Sequence, residues 1–242
     1  PLKLTLDTNL QFLIREELIK AQEIFKNIGS ASILMKVNSG EILSMISLPD
    51  FNLNKREEIK DVNYINRVTK GVYEFGSVFK TFTFASALNE GVIEPDTEFK
   101  DLPKKITCAG KPIGEYDNKI PSDLTAEQIL IRSGNIGSVR IGQKIGKEKL
   151  KAFLQDIGVL NKIEFDIEEV GEPIPIRWGK CKLATASFGH GITTTLLQLA
   201  KGYSIISNGG YNIRPTLIKR ASIKNKKERI IKKNVSQKIN PI

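Results

Sequence analysis

The sequence predicts an α/β protein in which an antiparallel sheet is covered by helices on both faces. An apolar stripe with helical spacing fills the first thirty residues, and two short apolar runs joined by Asn38-Ser39-Gly40 follow it. More segments with helical spacing come later in the chain. Strands that are apolar on both faces need cover on both sides, so a hairpin flanked by helices is typical of a layered α/β fold.

The first helix and the hairpin have readable boundaries. The apolar face of the helix recurs at steps of three and four and consists of Leu10, Ile14, Leu18, Ala21, Phe25 and Ile28. Thr8 and Gln11 fit a capping box at its start, and Gly29 can supply the left-handed residue that ends it. We expect the hairpin strands at residues 32–37 and 41–47, followed by a long polar loop at 48–70.

The rest of the chain predicts five more helices and a final pair of strands. The helices are expected at residues 77–89 with Gly91 as the stop, 125–132 with a Thr125–Gln128 capping box, from Asn135 onward, 147–156 closed by Gly158, and 193–207 ended by Asn208-Gly209-Gly210. Residues 100–123 are turn-rich, residues 159–182 are irregular, and strands are expected at 217–223 and 229–232 around a charged turn. We interpret residues 1–242 as one incomplete domain, with about 92–170 as its more helical subdomain.

The composition excludes several classes of protein. Of 242 residues, 40% are hydrophobic and 26% charged, which is typical of a soluble globular chain, and no apolar run reaches the roughly 18 residues of a membrane span. The net charge is +10, but residues 219–242 hold nine Lys or Arg and one acid, which leaves about +2 for the rest. A nucleic-acid surface would instead show a basic stripe with interleaved aromatics. Residues 1–6 carry no signal-peptide pattern, so we expect the chain to begin part-way through a gene product.

Ser77 and Lys80 are the first candidates for chemistry. Positions three apart share a helix face, so the hydroxyl and the amine can meet. A serine in the first helical turn lies near unpaired N–H groups at the positive end of the helix dipole, which stabilise developing negative charge. Partial burial beside Phe79 and Phe82 would lower the pKa of the lysine, and a neutral lysine can act as a base toward the serine. By itself the spacing also fits an N-cap serine followed by a surface lysine.

Ser133 and Asn135 are the second pair of candidates. They form the only Ser-x-Asn of the sequence, as Ser77 and Lys80 form the only Ser-x-x-Lys, and they lie between two predicted helices. A hydroxyl and a carboxamide offered from a loop could bind the lysine, pass a proton to a leaving amine and hold a substrate amide. The same triplet also serves as a simple interhelical turn.

The single histidine and the two cysteines do not predict a metal site. His190 lies between two glycines, and we expect it to have a structural or cleft-lining role rather than to form a Ser-His triad. Cys108 and Cys181 have no CxxC spacing. They could pair in an oxidising compartment or remain two buried thiols.

Together these motifs resemble the penicillin-binding protein and serine β-lactamase superfamily, whose signature includes Ser-x-x-Lys and Ser-x-Asn. The flanks narrow the resemblance to class B penicillin-binding proteins, the monofunctional D,D-transpeptidases, of the cell-division type. The resembling stretches run in family order across nearly the whole chain: Leu4-Thr5-Leu6-Asp7, Pro49-Asp50-Phe51-Asn52, Tyr73 to Lys80, Asn135-Ile136-Gly137, Ala186 to Ile192, and Asn208-Gly209-Gly210 leading to Arg214-Pro215.

The resemblance implies the transpeptidase fold of this family and an enzyme that cross-links septal peptidoglycan. Ser77 would attack the D-Ala-D-Ala amide of a stem peptide, with Lys80 as base and the Ser77 N–H as one oxyanion-hole donor. Ser133 would relay protons, and Asn135 would contact Lys80 and the substrate backbone. The implied partners are stem peptides, β-lactam antibiotics and membrane proteins of the divisome, with no nucleic acid, cofactor or metal. The implied location is the periplasmic side of the inner membrane, with an anchor outside this stretch.

The sequence departs from the family pattern in four places. Phe75 stands where many relatives have Pro, Val78 where Thr is frequent, and Thr195 where Pro is frequent. The third motif of the family, Lys-Thr-Gly or Lys-Ser-Gly, does not occur in residues 1–242. In the family it lies beyond the position of Ile242, so we expect truncation, missing C-terminal strands and little activity from this stretch alone. A D,D-carboxypeptidase or a β-lactam-binding sensor of the same superfamily is the alternative.

Overall fold

The computed structural model describes residues 2–52, 54–55, 64–219 and 230–231. Its helices are α1 (Thr8–Phe25), α2 (Lys80–Glu90), α3 (Ala126–Ile131), α4 (Asn135–Ile145), α5 (Lys147–Asp156), α6 (Lys182–Ala186) and α7 (Leu196–Ser207), with a 3-10 turn at Gly76–Phe79. The strands pair antiparallel: β1 (Ser30–Met35) with β2 (Ile42–Leu48), β3 (Val72–Tyr73) with β8 (Thr194–Thr195), β4 (Glu98–Phe99) with β7 (Leu124–Thr125), and β5 (Lys105–Cys108) with β6 (Lys111–Gly114). Among these described residues, no helix has both the length and the apolar composition needed to cross a bilayer.

The β1–β2 hairpin forms a two-stranded antiparallel sheet with the longest strands of the described residues. Ser30 pairs with Leu48 at its open end, and the residues of β2 alternate between buried and half-buried positions. Helix α1 packs against β2 and α7 packs against β1, so helices cover the hairpin as predicted. Residues 216–218 bridge to residues 4 and 41 and so begin the predicted strand 217–223. The remainder of that strand and most of the predicted strand 229–232 lie outside the described residues.

The start of α1 differs from the predicted capping box. The carboxylate of Asp7, rather than the hydroxyl of Thr8, accepts the backbone N–H groups of Asn9 and Leu10. A carboxylate is well suited to this position because it also interacts with the positive end of the helix dipole. The side chain of Gln11 instead accepts two hydrogen bonds from β2, and these fix α1 to the sheet.

Most other helix boundaries agree with the prediction. The capping box of Thr125 and Gln128 opens α3, with both reciprocal hydrogen bonds present. Helix α4 begins at Asn135, and α5 spans the predicted residues. Gly91 ends α2 in the left-handed conformation with φ of 68°, which a glycine adopts without steric cost.

Three local predictions are wrong. Helix α1 ends at Lys26, whose φ is 51°, and not at Gly29. The stretch 100–123 contains the β5–β6 hairpin, whose four-residue strands show too little alternation to stand out in the sequence. Helix α7 begins three residues later than predicted because Thr195 and Gln198 form a capping box at its start. Thr195, a departure from the family pattern, is thus the N-cap of this helix.

Helix α2 runs through the main hydrophobic core and carries the candidate lysine into it. Eight of its eleven residues are buried, and it packs against α4 and α5. Phe79, just before the helix, and Phe82, within it, meet edge to face with ring centroids 5.4 Å apart. Lys80 is 1% exposed, so the fold places an amine among apolar side chains.

A disulfide joins Cys108 of β5 to Cys181, the residue before α6. The Cα atoms are 5.7 Å apart, within the range that a disulfide spans without backbone movement. Of the two alternatives that the sequence leaves open, the structure has the paired one. The bond ties the β5–β6 hairpin to the segment that leads into α6.

Candidate active site

Ser77 and Lys80 meet at the junction of the 3-10 turn and α2. The Lys80 Nζ lies 3.0 Å from the Ser77 Oγ. Ser77 is exposed and Lys80 is almost fully buried, so the hydroxyl faces solvent while the amine approaches it from the core. The predicted proximity of the two side chains is therefore present in the structure.

Ser133 supplies two more contacts to the same amine. The Lys80 Nζ lies 2.9 Å from the Ser133 Oγ and 2.5 Å from the Ser133 carbonyl oxygen. Ser133 has a φ of 52°, which few residues other than glycine adopt. This left-handed turn after α3 presents both the carbonyl and the hydroxyl to the lysine, so Ser133 acts through its backbone as well as its side chain.

Asn135 lies beside this group but is held differently from the expectation. Its side-chain Nδ2 donates to the Gly114 carbonyl at 2.9 Å. Among the hydrogen bonds of the described residues, none joins Asn135 to Lys80, so the contact between them stays a prediction. The Ser133 carbonyl takes that place at the amine, and the β6 strand holds the carboxamide.

Glu115, which belongs to no sequence motif, anchors the start of α4. Its carboxylate accepts the backbone N–H of Asn135 at 2.6 Å and that of Ile136 at 2.9 Å. These are first-turn N–H groups that have no partner within a helix. Glu115 and its neighbour Gly114 therefore fix the backbone and the side chain of Asn135 from one end of β6. A carboxylate twenty residues before Asn135 gives no local sequence signal for this role.

Burial lowers the pKa of the Lys80 amine. Desolvation lowers the pKa of Lys80 from 10.5 to about 8, because burial penalises the charged form, while the nearby Glu115 carboxylate acts in the opposite direction. With a pKa near 8, roughly one lysine in ten is neutral at pH 7. The neutral form has a lone pair that can take the proton of the Ser77 hydroxyl, so this arrangement can activate a serine nucleophile.

Replacing Glu115 by glutamine is expected to move the pH dependence of serine acylation to lower pH. The carboxylate charge raises the pKa of Lys80, so its removal lets the lysine lose its proton earlier. The plateau rate at high pH should also fall by about tenfold, since charge-assisted hydrogen bonds to Asn135 and Ile136 are weakened. Rates of β-lactam acylation between pH 6 and 10 test this. The control is Glu127→Gln, which removes the charge of an exposed glutamate on α3.

The loop between α6 and β8 closes on the turn that carries Ser77. The Glu74 carboxylate accepts the Gly191 N–H at 2.8 Å and pairs with the His190 Nδ1 at the same distance. The His190 ring also stacks on Phe188, with ring planes 7° apart. The His190 Nδ1 thus lies beside the Glu74 carboxylate, which agrees with a structural role rather than a Ser-His triad.

Gly189 lets this loop touch the backbone directly before Ser77. Its φ is 85°, and a Cβ built on it would lie 1.8 Å from the Gly76 carbonyl oxygen. Gly189→Ala is therefore expected to lower the free energy of unfolding by roughly 2–4 kcal/mol and to slow Ser77 acylation more than tenfold. Thermal unfolding and labelling rates check both effects.

The matched control for this prediction is Gly179→Ala. A Cβ on Gly179 would have no heavy atom within 4 Å, and its φ is not in the left-handed region. We expect this variant to unfold and to label like the wild type. Equal behaviour of the two variants would show that the contact between Gly189 and Gly76 does not hold the site.

Helix α7 supports the nucleophile turn from the other side. The Tyr203 hydroxyl donates to the Val78 carbonyl at 2.8 Å and lies 3.0 Å from the Thr81 Oγ1. The Phe82 ring packs on Tyr203 with centroids 5.1 Å apart. Val78, one of the departures from the family pattern, thus takes part in this support through its backbone, while its side chain is 39% exposed.

The comparisons with known proteins identify the family of the chain. Residues 30–242 match the family model of the penicillin-binding protein transpeptidase domain, and the chain belongs to this family. The probable peptidoglycan D,D-transpeptidase FtsI of Caulobacter vibrioides is 31% identical over 221 residues, which are 91% of this chain and 37% of that protein. FtsI of Escherichia coli is 31% identical over 224 residues, 90% of this chain and 37% of that protein. The chain thus spans little more than a third of these relatives.

Solved structures confirm the predicted fold class. The apo transpeptidase domain of Burkholderia pseudomallei penicillin-binding protein 3 has a TM-score of 0.85 at 24% identity, over 98% of this chain and 67% of that one. Penicillin-binding protein 3 of Mycobacterium tuberculosis, solved with aztreonam, has a TM-score of 0.87 at 21% identity, over 98% of this chain and 56% of that one. At these identities the likeness concerns the fold.

Proposed function

We propose that this protein is a serine D,D-transpeptidase that cross-links peptidoglycan, with Ser77, Lys80, Ser133 and Asn135 as its site. The observation that carries the proposal is the buried Lys80 amine 3.0 Å from the exposed Ser77 hydroxyl, with a pKa lowered to about 8. Membership of the transpeptidase family and relatives named peptidoglycan D,D-transpeptidases support the same reaction class.

The proposed reaction has two acyl transfers. The Ser77 Oγ attacks the carbonyl carbon between the two D-Ala residues while Lys80 takes the hydroxyl proton. The C–N bond then breaks, and the terminal D-Ala leaves as an amine that receives a proton through Lys80 and the Ser133 hydroxyl. An amine of a second stem peptide attacks the ester next, forms the new amide and returns the proton to Ser77. The Ser77 N–H is one donor to the oxyanion in both steps.

We propose that this reaction takes place outside the cytoplasm, and the sequence resemblance and the disulfide support this. Disulfides persist in oxidising compartments such as the bacterial periplasm, and Cys108 is paired with Cys181. We extend the proposal to a domain on the periplasmic side of the inner membrane that acts in septal wall synthesis with divisome membrane proteins. Relatives named FtsI support the division role.

A donor–acceptor assay on the full-length protein tests this function. The donor is an N-acylated peptide ending in D-Ala-D-Ala, and the acceptor is a labelled D-amino acid amide. We expect release of D-Ala and a product in which the label replaces it. Release of D-Ala with transfer only to water would favour the alternative, a D,D-carboxypeptidase. Covalent β-lactam binding with neither product would favour a sensor of the same superfamily.

A further inference from the structure

A cavity beside the candidate site is lined by basic side chains. Its volume is about 620 Å³, and it lies between the β5–β6 hairpin, the segment before α6 and the loop that contains His190. We call it the cationic cavity. Its basic side chains are Lys111, Arg177, Lys180 and Lys182, of which Lys182 donates to the Gly191 carbonyl, and its apolar surface comes from Ile113 and Phe188.

The positive charge of the cationic cavity is not neutralised from within the described residues. Lys111, Arg177 and Lys180 form no ion pair with any residue in the described ranges, and no Asp or Glu lines the cavity. Two carboxylates next to the cavity walls, those of Glu74 and Glu115, already accept hydrogen bonds. Glu74 binds the His190 loop, and Glu115 binds the start of α4.

The cationic cavity adjoins the proposed reaction centre on two sides. Gly114, at its hairpin wall, accepts the hydrogen bond of the Asn135 carboxamide. At its loop wall, Phe188 and His190 flank Gly189, whose backbone lies against the Gly76 carbonyl. A peptide that reaches Ser77 and lies along Asn135 can therefore place a neighbouring residue in the cavity.

We propose that the cationic cavity binds an acidic segment of the donor stem peptide, the carboxylate-bearing residues that precede its D-Ala-D-Ala end. This inference rests on the proposed function. The three cations would pair with the side-chain or α-carboxylates of that segment, while Ile113 and Phe188 cover its aliphatic carbons. Every D-Ala-D-Ala donor carries the terminal carboxylate of D-Ala, so that group cannot cause a difference in rate between an acidic donor and its amide.

Two donor peptides and one charge-matched pair of variants test this in the full-length protein. The peptides both end in D-Ala-D-Ala and differ only in one preceding residue, which carries either a free carboxylate or its primary amide. The test variant is K111Q/R177Q/K180Q. The control variant, K20Q/K147Q/K149Q, removes the same charge from lysines that do not line the cavity.

We expect the wild type to prefer the acidic donor by about tenfold in kcat/KM, since each exposed ion pair contributes only a small factor. The test variant should lose this preference and the control variant should keep it. The preference should also shrink between 50 mM and 500 mM salt, because solvent-exposed charges are screened. An equal rate for both donors in the wild type, or an equal loss in both variants, would overturn the proposal.

Acylation of Ser77 by a β-lactam without a stem peptide separates this proposal from the reaction itself. We expect wild type and both triple variants to be acylated at equal rates. A test variant that also loses this acylation would overturn the assignment, because the three cations would then act on the structure of the site. Absence of acylation in the wild type would overturn the proposed function, and this inference with it.

Discussion

Replacing Ser77 by alanine is expected to abolish covalent labelling by β-lactams and to reduce transpeptidation by about 10⁶-fold, the loss typical of a deleted serine nucleophile. The remaining groups would bind the donor but could not form the ester. Because Ser77 is exposed, its removal leaves the core unchanged, and the thermal unfolding temperature should stay within about 1 °C of the wild type. Mass spectrometry of a digest after incubation with labelled ampicillin measures the adduct.

Ser86→Ala is the matched control for this loss. Ser86 lies on α2, the helix that follows the 3-10 turn of Ser77, is fully buried, and its hydroxyl has no hydrogen-bond partner among the described residues. Removing a buried hydroxyl without a partner costs no hydrogen bond, so this variant should label at the wild-type rate and be at least as stable. An ampicillin adduct that maps to any side chain other than Ser77 would contradict the proposed mechanism.

Replacing Lys80 by arginine is expected to slow Ser77 acylation by about 10³-fold, within the range for loss of a general base. A guanidinium stays charged at every usable pH and has no lone pair for the hydroxyl proton. It also does not fit the space of a side chain that is 1% exposed and bonded on three sides. Stopped-flow acylation with a chromogenic β-lactam measures the rate.

The pH profile identifies the base. Lys80 is protonated below its pKa of about 8 and neutral above it, so the wild-type acylation rate should rise roughly tenfold from pH 7 to pH 9 and then level off. Lys80→Arg should lose this rise. Lys201→Arg is the control, since burial also lowers the pKa of Lys201 but it lies in a separate cavity beside α5. A flat profile in the wild type would show that a group other than Lys80 accepts the proton of the Ser77 hydroxyl.

Short-range sequence patterns predicted much of the fold and part of the site. The spacing of Ser77 and Lys80 predicts that their side chains meet, because residues three positions apart in one helical turn lie on the same face. The Thr125–Gln128 capping box was readable for the same reason. Predictions of this kind depend on contacts within one element, and the sequence alone contains them.

Contacts between distant segments account for what the sequence did not predict. Glu115 reaches Asn135 through the β5–β6 hairpin, which the sequence analysis treated as turns. The Ser133 carbonyl reaches Lys80 because of a left-handed φ at a residue that is not glycine. The start of α1 shows competition between neighbours: Thr8 and Asp7 can both cap a helix, and only the three-dimensional path of the chain selects Asp7.

Because Cys108 and Cys181 form a disulfide, the way in which the protein is prepared determines which covalent form is studied. Protein recovered from a bacterial cytosol, or stored in dithiothreitol, carries two free thiols in place of the disulfide. Apart from the polypeptide backbone itself, the β5–β6 hairpin, and with it Gly114 and Glu115, is then held against the rest of the molecule only by non-covalent contacts. Inhibitor potencies measured on such material describe a looser protein, so a thiol titration belongs before any screen.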